Sequence, residues 1–233
     1  GMRLGLASLG ASASNQVMMF DQLLDSNPLF LTGNTDTVYS AVMFDLERDG
    51  PTVVEIPAGS GPSTVNDAYF RFVTDMGAPG PDRGKGGKYL IVPEAYDGEV
   101  PEGYFEARSP SNINLMVLRG FLVDGKTDAA VRSVKEGLKV YPLNQKDNPP
   151  AMEFISGSTV PFNTVHSNDF SFFEEINDVI QREPVDFLDP ELRGQLSSIG
   201  IQKGQAFDPD ERMTKILTNG VAIGNATARA LLL

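Results

Sequence analysis

The sequence predicts an α+β fold, in which an antiparallel β-sandwich or jelly-roll is followed by a helical C-terminal part. Two observations predict this class. Six short strand-like segments lie between about residues 37 and 123, and Gly/Pro-rich turns separate them. After Lys126 the apolar residues change to helical spacing, and later segments begin with residues that cap helices. We therefore predict three regions: an N-terminal helical segment over 1–30, a sandwich with one inserted helix over 31–157, and a helical region over 158–233.

The N-terminal half is predicted to be mostly strands. Gln16 to Leu24 is predicted as a short helix that ends at "DSNP". The first strand is "TVYSAVMFDL", in which Val38, Val42 and Phe44 alternate with the residues of the opposite face. The further predicted strands are "TVVEIP", "AYFRFVTDM", "YLIVP", "GYFEARS" and "NINLMVLRGFLVDG". We predict that "AGSGPSTVND" is a flexible connection and that "GAPGPDRGKGGK" is a mobile hairpin loop.

The C-terminal half is predicted to be mostly helices. The first is "KTDAAVRSVKEGLKVY", with Thr127 as its N-cap, and a polar linker over 144–157 follows it. Ser171 and Glu174 form a capping-box pattern for a helix that ends near Arg182. Two more helices are predicted to begin at "DP" and "DPDE", because Asp caps a helix and Pro suits its first position. The segment "GVAIG" in the last helix has the small residues that permit close packing or docking on a second domain.

Composition excludes several classes of partner. The formal net charge is −12, from 19 Lys and Arg against 31 Asp and Glu, so we expect no binding to nucleic acid. The chain has no cysteine and one histidine, His166, which excludes disulfides, thiolate sites and zinc sites with several imidazoles. No apolar run is long enough for a transmembrane helix. We assign no residues to a metal site, but the sequence leaves an all-oxygen site for calcium or magnesium open, and it leaves the cofactor unknown.

A face of tyrosine, arginine and carboxylate side chains is the candidate ligand site. Strand alternation predicts that polar residues of separate strands share one face. The predicted ligand-binding residues are Asn34, Asp36, Tyr39, Tyr69, Arg71, Asp75, Tyr104 and Arg108. Two interpretations stay open: a solvated outer face of the sandwich, or a concave pocket in which hydroxyl groups and guanidinium forks bind a ligand that carries oxygen.

Two residues are candidates for a catalytic role. Asn34 and Asp36 precede a strand, where such side chains commonly shape a turn, but Asp36 at the rim of the polar face could also act as a general base or cation ligand. His166 precedes a predicted helix, where it is either a hydrogen-bonded loop residue or a general base. No G-x-S-x-G nucleophile pattern accompanies it. Whether the protein is an enzyme is left open.

Several segments carry a resemblance to a known family. "NTDTVYSAVMFDL", "GKYLIVPEAY", "RSPSNINLMVLRGFLVDG" and "HSNDFSFFEEIN" are similar, in this order, to the bacterial family called domain of unknown function 1254. The resemblance implies a β-sandwich or jelly-roll-like domain followed by helices. It also implies that a second domain, of unknown function 1214, usually follows. Many relatives look exported, which implies a periplasmic or exported location, and Gly33 departs from a family pattern with proline before the asparagine.

Two hypotheses about function follow. In the first, the protein binds a small molecule in the Tyr/Arg/carboxylate pocket and is an enzyme or a binding protein. In the second, it is a non-catalytic structural or interaction module, whose helices dock a second domain or another subunit, including a second copy of the chain. The deciding feature is whether the polar face is concave.

Overall fold

The computed structural model describes residues 1–30 and 33–231. The chain divides into a β-rich unit, Met2–Thr164, and a helical unit, which comprises Gly1 and Val165–Leu233. The described residues form ten strands in two mainly antiparallel sheets and six α-helices, so the predicted α+β class is confirmed. Leu31, at which the predicted sandwich region begins, and the terminal Leu232–Leu233 lie outside the described residues. The three predicted regions stay a prediction.

The two sheets contain six and four strands. Sheet 1 has the order β10-β1-β2-β8-β4-β5, and sheet 2 has the order β7-β6-β3-β9. Neighbours are antiparallel except in the pairs β1–β10 and β6–β7, which are parallel. The strands are β1 Gln16–Met19, β2 Thr37–Asp45, β3 Thr52–Ile56, β4 Ser63–Asp67, β5 Phe72–Met76, β6 Gly87–Pro93, β7 Tyr104–Ser109, β8 Ile113–Phe121, β9 Lys139–Pro142 and β10 Glu153–Ser156.

Three of the described helices lie in the β-rich unit and three in the helical unit. They are α1 Met2–Ser8, α2 Leu46–Asp49, α3 Asp128–Gly137, α4 Ser171–Arg182, α5 Pro190–Ser198 and α6 Glu211–Leu231. Short 3-10 turns cover Leu143–Gln145 and Val185–Phe187. Among the described helices, none combines the length and apolar character that crossing a membrane requires.

The core lies between the two sheets. One buried cluster joins Val42 and Phe44 of β2 to Val54 of β3 and Ile91 of β6, and α3 contributes Val134. Burying an aliphatic or aromatic side chain contributes about 1.5–3 kcal/mol, so this cluster stabilises the sandwich. The alternation predicted for β2 is confirmed, because its even-numbered residues face this core.

Apolar clusters also cover part of each outer face. On sheet 1, Tyr39 and Ala41 pack with Leu6 of α1 and Phe162. On sheet 2, Val53, Leu90, Val92 and Tyr141 form a cluster against which Tyr96 and Val100 pack. Tyr39, a residue of the candidate site, is thus part of the apolar cluster on the outer face of sheet 1.

Tertiary pairing overrides the predicted helix at Gln16–Leu24. This segment begins with β1, whose Met18 pairs with Ala41 of β2 and whose Val17 pairs with Phe154 of β10. Val17 and Met18 are fully buried. A prediction from local spacing cannot see a strand that owes its conformation to partners far away along the chain.

Three strands were missed for the same reason. β4 lies within the segment predicted as a flexible connection, and it pairs with β5 and β8. β9 lies at the end of the predicted "KTDAAVRSVKEGLKVY" helix, which stops at Gly137 because Val140 and Tyr141 pair with β3 instead. β10 lies within the predicted linker.

The predicted C-terminal helices are present, with different caps. The helix to Arg182 begins at Ser171, but its first turn is capped by Asp169, whose Oδ1 accepts the Ser171 backbone N–H at 2.9 Å. Thr127 precedes α3 in a helical conformation and makes no capping hydrogen bond through its side chain. Asp210 caps α6 by accepting the Met213 N–H at 2.7 Å.

Candidate functional site

A turn built by Asn34 introduces β2. Asn34 Oδ1 accepts hydrogen bonds from the backbone N–H of Asp36 at 2.9 Å and of Thr37 at 3.1 Å, and from the Thr37 hydroxyl at 3.0 Å. An asparagine side chain that bonds the backbone two and three residues later is a common turn device. Asp36 itself is exposed. All three of these hydrogen bonds to the Asn34 amide oxygen lie within the turn, as the turn-shaping interpretation of Asn34 expects.

Tyr39 anchors this turn to the sheet. It is buried, with 2% of its surface exposed, and its hydroxyl oxygen accepts the Asn34 backbone N–H at 3.0 Å. Its ring faces the guanidinium of Arg119, whose Cζ lies 5.2 Å from the ring centroid. Tyr39 and Arg119 are directly opposed on β2 and β8, which places both side chains on the same face.

The Arg119 guanidinium has no partner of opposite charge. Within residues 1–30 and 33–231 it makes no side-chain hydrogen bond and no ion pair. The residue is half-buried. A guanidinium carries five N–H donors, which an aromatic ring cannot satisfy. Arg119 therefore has its donors available for an oxygen-bearing group.

Asp75 lies on the same outer face of sheet 1. Thr64 of β4 is directly opposed to Val117 of β8 and to Asp75 of β5. Because directly opposed residues share a face and residues i and i+2 share a face, Asp75, Thr64 and Arg119 lie on one surface. Tyr39 and Asp75 therefore lie on the same face, as predicted. Arg119 lies between them, because β8 lies between β2 and the β4–β5 pair.

A shallow cavity adjoins Arg119 at the end of β8. It has a volume of about 300 Å³ and is lined by Arg119, Phe121, Ser60 and Val123, among others. Phe121 is 51% exposed and is directly opposed to Thr37 of β2. The cavity therefore lies among the end of β8, the segment that follows β3, and α3.

Tyr69 and Arg71 lie in the turn between β4 and β5, and not on a strand. The buried carboxylate of Asp67 accepts the backbone N–H groups of Tyr69 and Arg71 at 2.9 and 2.8 Å, and the Arg71 Nε–H at 2.6 Å. Phe70, at the tip, adopts a positive φ of 63°. The Arg71 guanidinium also lies 5.6 Å from the Tyr69 ring. Asp67 thus organises the turn and is the ion-pair partner of Arg71.

Tyr104 and Arg108 lie on sheet 2. The Arg108 guanidinium donates to the carbonyls of Glu94 and Tyr96 at 2.9 and 2.8 Å and pairs with Glu106 at 2.7 Å. The Lys88 ammonium lies 5.7 Å from the Tyr104 ring. These contacts hold local loops, and sheet 2 separates this pair from the face that carries Tyr39 and Asp75.

A second polar group on sheet 2 centres on Glu55. Its carboxylate accepts the Tyr141 hydroxyl and pairs with the Lys88 ammonium at 3.1 Å. Burial raises the pKa of Glu55, but the bonds from Tyr141 and Lys88 outweigh burial and hold that pKa below its usual value. Burial and the Glu55 bond raise the pKa of the Tyr141 hydroxyl. The group is internally satisfied, so it is a structural ion pair.

A buried aspartate anchors the Gly/Pro-rich loop that was predicted to be mobile. Asp82 is 4% exposed, and its carboxylate accepts the backbone N–H groups of Gly77 at 2.8 Å and Gly86 at 3.1 Å, as well as the Tyr89 hydroxyl. Burial, followed by the bond to Asp82, raises the pKa of Tyr89. All the Asp82 contacts serve the loop's own conformation.

His166 lies in the helical unit and is exposed. Its Nδ1 lies 2.9 Å from the Ser167 carbonyl oxygen, and its ring lies 5.1 Å from the Phe172 ring. The Ser167 hydroxyl donates to Glu175 at 2.6 Å. The loop interpretation of His166 accounts for these contacts, and a catalytic role stays a prediction.

The predicted site residues thus lie in three places. Asn34, Tyr39 and Asp75 belong to the outer face of sheet 1 or its border, Tyr69 and Arg71 to the β4–β5 turn, and Tyr104 and Arg108 to sheet 2. Arg119 was missed. The sequence contained a signal for Arg119. Leu115, Val117 and Arg119 occupy alternate positions and so share one face of β8, and an arginine is unusual in this otherwise apolar strand. In the described part of the chain, no cluster of three or more metal-ligating side chains occurs.

Comparison with known proteins agrees with this fold. The crystal structure of the VPA0106 protein from Vibrio parahaemolyticus matches with a TM-score of 0.63 and 18% sequence identity, over 90% of this chain and 52% of that one. The chain therefore spans about half the length of that structure. No curated protein matches the chain. Residues 14–142, more than half of the sequence, match the family model described as "Protein of unknown function (DUF1254)". The chain belongs to the DUF1254 family.

Proposed function

We propose that the protein binds a small oxygen-bearing anion on the outer face of sheet 1, with Arg119 as the principal binding residue. The observation that carries the proposal is the half-buried guanidinium of Arg119, which has no carboxylate or carbonyl partner within the described ranges. In a chain with formal net charge −12, carboxylates are plentiful, so an arginine left without one is a candidate for a ligand.

The neighbouring residues have distinct roles in this proposal. The Tyr39 ring fixes the plane of the guanidinium, so that two parallel N–H groups are presented to a carboxylate or phosphate. Asn34 holds the turn beside it. Asp75 lies on the same face and would accept a hydroxyl group or repel a second charge, so a hydroxylated monoanion fits better than a polyanion. Asp36, exposed at the border, is the candidate for a general base at this site.

A thermal-shift titration tests this proposal. Small hydroxy-carboxylates and inorganic phosphate should raise the melting temperature of the wild-type protein, because a ligand that prefers the folded state stabilises it. Arg119→Gln should abolish the rise, and Arg119→Lys should retain only part of it, since lysine lacks the bidentate fork. Arg132→Gln, at an exposed arginine of α3, is the matched control. An equal rise in the Arg119→Gln variant would overturn the proposal.

A second candidate function, as an interaction module, is favoured by the exposed face of α6. Ile216 and Ile223 are 46% and 67% exposed, and Gly220, Thr227 and Ala230 complete the same face at helical spacing. Leu217, about 100° round the helix from this face, is buried, with 4% of its surface exposed. The occupant that we propose is the further part of a longer polypeptide, because the Vibrio structure contains about as much chain again as the part matched here.

Amide hydrogen exchange tests this second candidate. The exchange of α6 should be slower in a polypeptide that carries such a further domain than in this chain, and Ile223→Glu should restore fast exchange. Thr218→Glu, at an exposed position on another side of α6, is the control. Equal exchange with and without the further domain would rule out docking of that domain. Slow exchange that appears only at high concentration of this chain would indicate a second copy instead, and would also rule out this occupant.

A further inference from the structure

A cavity in the helical unit is distinct from every site described above. It lies among the end of α4, the Val185–Phe187 turn, α5 and the segment after α5, and its volume is about 420 Å³. Binding cavities for small molecules commonly measure about 300–1,000 Å³. Most of its lining is apolar. The side chains that give it this character are Ile180, Val185, Phe187, Leu188, Leu196 and Ile201.

Arg193 gives the cavity a cationic group. It lines the cavity from α5, and its Nε is buried without a hydrogen-bond partner in the part of the chain that the structure describes. A buried N–H of a charged group that lacks an acceptor costs more free energy than a neutral one. An anionic acceptor in the cavity would remove this cost.

Lys203 lines the same cavity and adds positive charge. Its ammonium donates to the backbone carbonyls of Gln181 at 3.1 Å and Glu183 at 2.6 Å. An ammonium group has three N–H donors, so these two bonds leave one. Carbonyl oxygens bear no formal charge, so these two bonds do not pair the Lys203 ammonium with an anion.

We propose that this cavity binds a small molecule with one carboxylate and an apolar chain, such as a medium-chain carboxylic acid. The apolar lining would bury the chain. The Arg193 guanidinium would bind the carboxylate through Nε and a terminal nitrogen, with Lys203 as a second positive charge. An alcohol of the same length could accept only one uncharged hydrogen bond, so the cavity should select for the charged head as well as for the chain.

Calorimetric titration with octanoate tests the proposal, with the complete chain carrying Arg119→Gln so that the sheet 1 site is silent. We expect saturable binding of one octanoate. The affinity should rise roughly fourfold for each methylene between hexanoate and octanoate, which reflects burial of the chain. Octanol should bind at least tenfold more weakly, on the order expected for loss of a charge-assisted hydrogen bond.

Three variants separate this site from general hydrophobic binding. Arg193→Gln should weaken octanoate binding by about tenfold or more without weakening octanol binding. Gly194→Leu should weaken both, because Gly194 lines the cavity and a Cβ there contacts nothing within 4 Å, so the side chain adds bulk without a backbone clash. Arg212→Gln, at an exposed position of α6, removes the same charge elsewhere and should have no effect.

Each alternative result overturns the inference. Octanol that binds as tightly as octanoate would show that no cation recognises the head group. An Arg193→Gln variant with wild-type octanoate affinity would remove Arg193 from the site. Absence of binding to every carboxylate in the series, with the protein folded by circular dichroism, would end the proposal, whatever the result for Arg119.

Discussion

At the scale of single residues, buried charges distinguish structural positions from candidate binding positions. Asp67 and Asp82 are almost fully buried, and each carboxylate accepts three hydrogen bonds from residues at most seven positions away. Arg119 has no such partner in the described ranges. A satisfied buried charge holds a conformation, whereas a half-buried guanidinium that has no acceptor keeps its N–H donors available for a ligand. This difference is the basis for placing the anion site at Arg119.

The Asp82 interactions predict a large effect on stability. Asp82→Asn should lower the free energy of unfolding by about 2–3 kcal/mol, because the amide nitrogen would face N–H or O–H donors in place of an acceptor oxygen. Tyr89→Phe, which removes one of the three donors, should cost less. Urea denaturation measures both changes. If Asp82→Asn matched the wild type, the carboxylate would not be what anchors the loop.

The Glu55 ion pair predicts a pH dependence. Because the folded state holds the pKa of Glu55 below its unfolded value, its contribution to stability is complete above the unfolded pKa of about 4.3. That contribution is lost as pH falls through the folded pKa. Glu55→Gln should therefore flatten the fall in stability below about pH 4.3. Denaturation midpoints of the two proteins, measured from neutral pH downward, check this. Parallel curves would contradict the assignment.

At the scale of elements, sequence patterns correctly predicted the features that depend on residues close together in the chain. The alternation in β2 identified Val38, Val42 and Phe44 as core residues, and the Asp-Pro pattern located the start of α5. The parts that could not be predicted depend on distant partners. β1 and β10 pair with each other across more than 130 residues, and β4 lies between β8 and β5.

The candidate site was predictable only in part for a related reason. Alternation correctly placed Tyr39 and Asp75 on one face, because both lie on strands of sheet 1. It failed for Tyr69 and Arg71, where the chain turns around Asp67. It also could not show that Tyr104 belongs to the other sheet, because alternation within a strand carries no information about which sheet the strand joins.

Substitution of glycine by alanine should change the free energy of unfolding in opposite directions in helix α6 and in the loop after β5. Gly220→Ala in α6 should raise the free energy of unfolding by about 0.5–1 kcal/mol, because a Cβ there contacts nothing within 4 Å and alanine is the better helix former. Gly77→Ala should destabilise the protein, because Gly77 has a φ of +74° and its Cβ would lie 2.2 Å from the Gly61 carbonyl oxygen. Thermal and urea denaturation distinguish the two signs. A stabilised Gly77→Ala variant would contradict this account of the loop.

At the scale of the whole molecule, the β-rich unit and the helical unit each present a different candidate surface. The β-rich unit carries the Arg119 face of sheet 1. The helical unit carries the α6 face and the Arg193 cavity. The family to which the chain belongs has no assigned activity, and the matched Vibrio structure is about twice as long. The three surfaces can be tested separately, because each depends on different residues.

The central claim is that Arg119 binds an anion, and nuclear magnetic resonance of its side chain tests this most directly. In a titration of the isotopically labelled protein with a small hydroxy-carboxylate, we expect the Arg119 Nε–H resonance, assigned through the Arg119→Gln variant, to shift and saturate. The Arg132 resonance should not move. An Arg119 resonance that stays fixed across a panel of hydroxy-carboxylates and phosphate, in the folded protein, would contradict the proposed function.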